Sequence, residues 1–270
     1  MTKRLVLIGA SAVLALGVLL SGLVTVTDSA HAASLISLGN LKAGDLIRGE
    51  SYSAVYYYGA DGFRYVFPND KTYFTWYSNF NSVKWVSDAD LSKVQIGGNV
   101  TYKPGSRMIK INSDPRVYVI AKGGVIRPVA SEAIAKAFYG ATWNKQIDDV
   151  ADGFFTNYKM GGKVDDAGMY SVNSEKDDAV DISKDKSLAA PTLVTLSDSG
   201  YSPAAVTVKA GSVVKFVNNG TAKHTASDDS GDWGTGTLNS GDNFSRYFKV
   251  QGIYTFHDAY GATKGTITVN

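Results

Sequence analysis

The 270-residue sequence contains no cysteine and only three histidines. Without cysteine the chain can form no disulfide, no thiolate metal site and no cysteine nucleophile. The net charge is +2 with no basic run, so the sequence carries no electrostatic footprint for a nucleic-acid partner. It also lacks a P-loop and a G-x-S-x-G element, and its two C-terminal histidines leave no spare base for a hydrolase. These absences argue against catalysis, and we expect a protein that is not an enzyme.

The first 32 residues have the pattern of an export signal. Lys3 and Arg4 precede a long apolar run, and Ala30-His31-Ala32 has the A-x-A form of a cleavage site. The apolar run is long for a signal, so a retained membrane anchor is the alternative. Both interpretations predict an extracytoplasmic protein, secreted, periplasmic or on the cell surface. It would contact a membrane only through this segment, if the segment is uncleaved.

Residues 41–164 contain a unit of about sixty residues twice. VYYYGADGFRYVF at 55–67 corresponds to VYVIAKGGVIRPVA at 117–130, and IGGNV at 96–100 corresponds to MGGKV at 160–164. Each unit is expected to mix two or three short strands with one helix. The pattern predicts a compact α+β tandem-repeat domain, which resembles tandem-repeat modules of exported bacterial surface proteins.

Residues 165–190 are polar and charged, with few large apolar side chains, and are expected to be a linker. In residues 191–270, short alternating apolar runs are separated by turns rich in Gly, Asn, Ser and Asp. This spacing predicts an antiparallel β-sandwich. The predicted strands are TLVTLS (192–197), AVTV (205–208), VVKFVN (213–218), FSRYFKV (244–250), IYTF (253–256) and GTITV (265–269).

The C-terminal region resembles the cupredoxins of the plastocyanin and azurin type. GYSPAAVTVKAGSVVKFVNNGTAKH contains the family's P-x-x-V-x-V-x-x-G strand and places His224 at the first ligand position. In the family, a cysteine and a second histidine follow a Y-x-Y strand, here represented by Tyr254 and Phe256. The cysteine position is Asp258 and the second histidine position is Gly261. The resemblance implies an all-β Greek-key sandwich after the α+β repeats.

The candidate metal ligands are His224, which matches the family, Asp258, which replaces the cysteine, and His257, which is additional. Blue copper requires a thiolate, so imidazole and carboxylate ligands would form a non-blue copper(II) or zinc site. A sandwich without any metal is the alternative. Adjacent strand residues point to opposite faces, so if Asp258 faces His224, then His257 faces away.

We therefore expect an exported, non-catalytic cell-surface or periplasmic protein whose cupredoxin-like domain has a remodelled or lost metal site. One alternative is a copper-binding or electron-transfer protein, as the resemblance implies. The other is a structural or glycan-binding surface module, since exposed aromatic residues of the repeats, such as Tyr56, Tyr57 or Tyr58, could stack on sugars. The expected partners are a metal ion and a cell-wall or surface component.

Overall fold

The strands between residues 34 and 270 form two five-stranded sheets followed by two four-stranded sheets. The computed structural model describes residues 34–270, and the predicted export signal at 1–32 lies outside them. Within the described part of the chain, none of the helices combines the length and hydrophobicity that crossing a membrane requires.

The first sheet and its helices come from residues 46–99. The elements are β1 (Leu46–Arg48), β2 (Tyr56–Tyr58), β3 (Arg64–Val66), α1 (Asp70–Trp76), β4 (Val83–Trp85), α2 (Asp88–Lys93) and β5 (Ile96–Asn99). The strand order is β4-β1-β2-β3-β5. The three central strands pair antiparallel, and each edge strand pairs parallel with its neighbour.

The second sheet has the same order of elements as the first. It contains β6 (Met108–Ile111), β7 (Asp114–Ala121), β8 (Val125–Pro128), α3 (Glu132–Tyr139), a 3₁₀ turn (Trp143–Gln146), β9 (Ile147–Asp149), α4 (Asp152–Phe155) and β10 (Lys159–Met160). The strand order is β10-β8-β7-β6-β9, again with antiparallel central pairs and parallel edge pairs. Each strand of one sheet therefore has a counterpart in the other.

Each unit has five strands and two helices, more than the two or three strands and one helix expected. The additional strands have two to four residues, which is too short for hydrophobic alternation to be recognised. The two longer helices begin at polar caps, as the sequence suggests. Asn69 accepts a hydrogen bond from the Thr72 N–H at 2.8 Å, and Ser131 accepts one from the Ile134 N–H at 3.4 Å.

Residues 165–190 are folded, in contrast to the linker predicted for them. They form a 3₁₀ turn (Ala167–Met169) and the helices α5 (Val172–Asp178) and α6 (Ile182–Asp185). Tyr170 and Ile182 are buried against the sheets. Short helices that lie on existing sheets need few apolar side chains, so a polar composition did not reveal them.

Polar side chains of this segment also accept hydrogen bonds from backbone N–H groups in both five-stranded sheets. Ser183 Oγ accepts a hydrogen bond from the Ala60 N–H at 3.1 Å, in the turn between β2 and β3. Asp185 Oδ1 accepts one from the Gly123 N–H at 2.8 Å, in the matching turn between β7 and β8. The segment therefore fixes equivalent turns of the two sheets.

The C-terminal region is a sandwich of two four-stranded sheets. Its strands are β11 (Thr192–Ser197), β12 (Gly200–Ser202), β13 (Ala205–Val208), β14 (Ser212–Asn218), β15 (Ser227–Asp228), β16 (Asn243–Phe248), β17 (Gly252–His257) and β18 (Lys264–Val269). The sheet orders are β12-β11-β14-β16 and β13-β18-β17-β15. The antiparallel expectation is wrong for two pairs, since β11 runs parallel to β14 and β13 runs parallel to β18. Rings of Phe216, Trp233 and Phe256 pack between the sheets.

The sandwich is joined to the first five-stranded sheet through β16. Phe63 and Tyr247 stack with ring centroids 4.9 Å apart. Gln95 forms two hydrogen bonds with the backbone of Ser245, at 2.9 Å to its carbonyl oxygen and 2.7 Å from its N–H. These contacts hold β16 against the first five-stranded sheet.

Candidate metal site

His224 and Asp258 come together at one end of the sandwich. His224 follows β14 and exchanges two backbone hydrogen bonds with Leu238, at 3.1 and 2.9 Å. Asp258 follows β17 and begins the turn into β18, where its N–H donates to the Thr263 carbonyl at 2.9 Å. Both side chains point inward, and His224 is 9% exposed. The matched and the substituted ligand position thus lie side by side.

Both nitrogens of the His224 ring contact carboxylates. Nδ1 lies 2.7 Å from Asp258 Oδ2, and Nε2 lies 3.1 Å from Asp198 Oδ1. Since ionised carboxylates only accept hydrogen bonds, both contacts are hydrogen bonds only when both ring nitrogens carry hydrogens and the ring is an imidazolium. We call these three side chains the Asp198–His224–Asp258 cluster; with the ring in that state it carries one positive and two negative charges.

The two carboxylates are held by further donors. Asp258 Oδ1 accepts from the N–H groups of Thr225 at 2.9 Å and Tyr260 at 3.1 Å. Asp198 accepts from the hydroxyl of Thr221 at 2.7 Å and from the Ala222 N–H at 3.0 Å. These hydrogen bonds fix the position of each carboxylate beside the His224 ring.

The pKa values of the three groups move in the directions that favour this charged state. Hydrogen bonding to Asp258 raises the pKa of His224, against the effect of burial and with help from Asp198. Burial works against the ionised form of Asp258, but the hydrogen bonds from His224 and from backbone N–H groups outweigh it and lower its pKa. The Thr221 hydroxyl, neighbouring N–H groups and His224 hold the pKa of Asp198 well below its usual range.

His257 does not join the cluster. Its Nδ1 lies 2.6 Å from Asp229 Oδ1, and both side chains are partly exposed on the opposite face of β17. This is the alternation expected of consecutive strand residues. Asp228 accepts a hydrogen bond from the Asp232 N–H at 3.1 Å within its own loop. Gly261, at the second-histidine position, lies in the exposed turn after Asp258.

The donor set does not fit a metal ion as it is arranged. A histidine ligand offers a ring nitrogen lone pair, and here a carboxylate oxygen lies within hydrogen-bond distance of each ring nitrogen. Asp198 and Asp258 also lie at opposite sides of the ring, so their oxygens do not converge on one point with it. Among residues 34–270, no group of three or more His, Asp or Glu side chains is placed to hold a metal.

The sequence did not identify Asp198. Its position follows from the parallel pairing of β11 with β14, which places Leu196 opposite Asn218 and brings the turns after both strands together. Asp198 then reaches Thr221 and His224 across that edge. The signal was present as a turn-forming aspartate after TLVTLS, but it is informative only once the parallel register is known.

Comparison with known proteins gives a structural likeness alone. No family model matches the sequence, and no curated protein matches it. Similar solved structures include a purple cupredoxin from Nitrosopumilus maritimus, at 20% identity over 29% of this chain and 99% of that one, with a TM-score of 0.28. A copper-containing nitrite reductase from Thermus scotoductus matches at 21% identity over 30% of this chain and 23% of that one, with a TM-score of 0.29. An amicyanin mutant matches at 21% identity over 30% of this chain and 82% of that one, with a TM-score of 0.27. At these identities the likeness concerns fold and carries no argument about copper in this chain.

Proposed function

We propose that this chain is an exported, non-catalytic cell-surface or periplasmic protein whose C-terminal domain is a cupredoxin relative that has lost its metal site. The observation that carries the proposal is the engagement of both His224 ring nitrogens by carboxylates. The extracytoplasmic setting rests on the sequence of residues 1–32. We also propose that the two five-stranded sheets are copies of one repeat, since their sequences and strand orders correspond.

The Asp198–His224–Asp258 cluster would replace a bound metal as the structure that holds the loops of the site together. A bound metal connects the loops that supply its ligands, and this cluster connects three loops by charge-assisted hydrogen bonds. Cysteine loss at residue 258 removes the thiolate, and a carboxylate there pairs with an imidazolium. The loops at this end of the domain then stay connected without copper.

Calorimetric titration of the protein with Cu(II) and then Zn(II) tests this proposal. The cluster is expected to bind neither ion, because binding would require breaking at least one buried charge pair. Weak binding at the exposed His257–Asp229 pair would be abolished by His257→Ala and unaffected by Asp258→Asn. Micromolar binding that Asp258→Asn or His224→Gln abolishes would contradict the proposal and favour a remodelled metal site.

The second candidate function is binding of a surface glycan, and a specific feature of the repeats favours it. The tyrosines singled out in the sequence are not responsible, since Tyr57 is buried and Tyr56 and Tyr58 are half-buried. Other aromatic side chains line a groove on the first sheet. That groove supports a more specific inference about its ligand.

A further inference from the structure

A groove of about 470 Å³ lies where the first five-stranded sheet meets helix α4 of the second unit. Aromatic rings from both units line it, namely Phe67, Tyr73 and Phe80 from the first and Phe154 from α4. We call these four residues and the space between them the aromatic groove. Its volume is within the range of small-molecule binding pockets.

The rings of the aromatic groove are held in place by one another. Tyr73 and Phe80 stack with centroids 4.3 Å apart, and Phe67 meets Tyr73 edge to face at 5.0 Å. The Tyr73 hydroxyl donates to the Asn79 carbonyl at 2.8 Å, which fixes the loop that carries Phe80. A ligand would therefore meet a preformed platform and lose little free energy in ordering it.

Two of these rings are accessible to a ligand. Phe80 is 48% exposed and Phe154 is 39% exposed. A second hollow of about 320 Å³ lies on the other side of Phe80 and includes Trp85. Phe80 therefore lies between two hollows. Exposed apolar side chains that cluster on a surface often mark a binding site.

The polar part of the lining defines the ligand class. Ser53, Asn69, Asp70 and Asn99 border the aromatic groove, and none of its lining residues within the described chain is Lys, Arg or His. Asp70 would repel an anion from this hollow. The second hollow includes Arg48, whose guanidinium lies 4.0 Å over the Trp85 ring and donates to the Tyr52 carbonyl at 3.0 Å, so it already has partners within the chain. Amide, hydroxyl and carboxylate groups would pair with the hydroxyls of a neutral ligand, whereas an acyl chain would leave them without partners.

A sugar ring combines these requirements, since it has an apolar C–H face and a rim of hydroxyl groups. We propose that the aromatic groove binds a neutral polysaccharide chain, with one sugar ring in the hollow on each side of Phe80. This gives the surface role proposed above a ligand class. It is independent of metal loss in the sandwich, so failure of either proposal leaves the other standing.

The test is calorimetric titration of the protein with β-1,4-linked tetrasaccharides of glucose and of N-acetylglucosamine, followed by pull-down on insoluble cellulose and chitin. At least one of these probes is expected to bind. Phe80→Ala and Phe154→Ala should each weaken binding about tenfold or more, because each removes a face on which a sugar ring stacks. Asp70→Asn, which keeps the shape of the rim, should weaken it less.

Tyr260→Ala is the matched control, since Tyr260 is an exposed aromatic residue (58%) in the turn between β17 and β18 and lines neither hollow. It should bind the probe as the unmodified protein does. Thermal unfolding of each variant separates lost binding from lost folding. Phe154→Ala should change it little, and Phe80→Ala should change it more because the stack on Tyr73 is removed. The proposal is overturned if no probe binds, if binding survives in both phenylalanine variants, or if a fatty acid occupies the groove in place of sugar.

Discussion

Asp258 and Asp61 are both buried carboxylates, one within the sandwich and one at its junction with the first sheet, and they differ in their hydrogen-bond partners. Asp258 faces the His224 ring, whereas Asp61 faces two tyrosine hydroxyls. The first arrangement depends on a titrating cation and the second on neutral donors. Similar burial therefore produces one contact that responds to pH near neutrality and one whose donors do not.

The junction cluster is formed by residues from the first five-stranded sheet and from the sandwich. Tyr65 donates to Asp61 Oδ2 at 2.6 Å, and the Tyr247 hydroxyl donates to the same oxygen. The Phe63 N–H donates to Oδ1 at 3.2 Å. Burial and the hydrogen bond to Asp61 raise the pKa of Tyr247 to about 12, and the pKa of Tyr65 is also raised, first by burial. Both hydroxyls therefore stay protonated as donors across the ordinary pH range.

Asp258→Ala is expected to have the largest effect on stability. It leaves the His224 imidazolium without its closest partner and the Thr225 and Tyr260 N–H groups without an acceptor. Removing one member of a buried charge pair costs about 3–5 kcal/mol. Urea unfolding measures the loss, and a loss below about 1 kcal/mol would contradict the proposed role of the cluster.

Asp61→Ala is expected to cost less, about 2 kcal/mol, because the orphaned groups are neutral and can partly satisfy each other. The Tyr65 and Tyr247 hydroxyl oxygens are already 3.0 Å apart, so one can donate to the other. Urea unfolding gives the magnitude, and Asp61→Asn, which keeps an acceptor oxygen, is the control. If Asp61→Ala destabilised more than Asp258→Ala, the ranking of the two clusters would be reversed.

The pH dependence of stability should distinguish the two clusters. The raised pKa of His224 gives stability that is complete below its unfolded value of 6.5 and is lost as pH rises through the folded value. The lowered pKa values of Asp198 and Asp258 give stability that is complete above 3.8 and is lost as pH falls through the folded values. The penalty of His224→Gln should therefore be greatest between these limits and decrease on both sides.

The measurement is the free energy of unfolding of the His224→Gln and Asp61→Ala variants, each compared with the unmodified protein, from pH 4 to 9. The penalty of Asp61→Ala should stay level from pH 6 to 9, since Tyr65 and Tyr247 keep their protons. A His224→Gln penalty that is constant across the same range would show that the ring is not the cation of the cluster.

His257→Ala should have the smallest effect, within about 0.5 kcal/mol, because its pairing with Asp229 is exposed and screened by solvent. Chemical unfolding beside the Asp258→Ala variant is the measurement. A loss comparable to that of Asp258→Ala would mean that His257 belongs to the structural cluster.

The strands of the sandwich were largely predictable, because alternation over four or more residues is a strong signal. TLVTLS and AVTV coincide with β11 and β13, and the other four predicted strands overlap β14, β16, β17 and β18. The two that were missed, β12 and β15, have three and two residues and lie beside turns. Strands of that length are defined by their partners and leave no periodic pattern.

The candidate site was predictable in part. The resemblance placed His224 and Asp258 together, and strand alternation placed His257 on the other face. The second carboxylate, Asp198, depended on the parallel register of β11 and β14, which hydrophobic patterning does not encode. The folded segment at 165–190 was missed for a similar reason, since its side chains are buried by sheets that lie far away in sequence.

The central claim is that both ring nitrogens of His224 carry hydrogens at neutral pH. Nitrogen-15 NMR of the histidine rings, with the His224 signals assigned through His224→Gln, measures this directly. The account predicts that Nδ1 and Nε2 both have the shifts of protonated nitrogens at pH 7, where a histidine with the ordinary pKa of 6.5 is mostly neutral. A His224 ring with one unprotonated nitrogen at pH 7 would contradict it and would make that nitrogen available as a metal ligand.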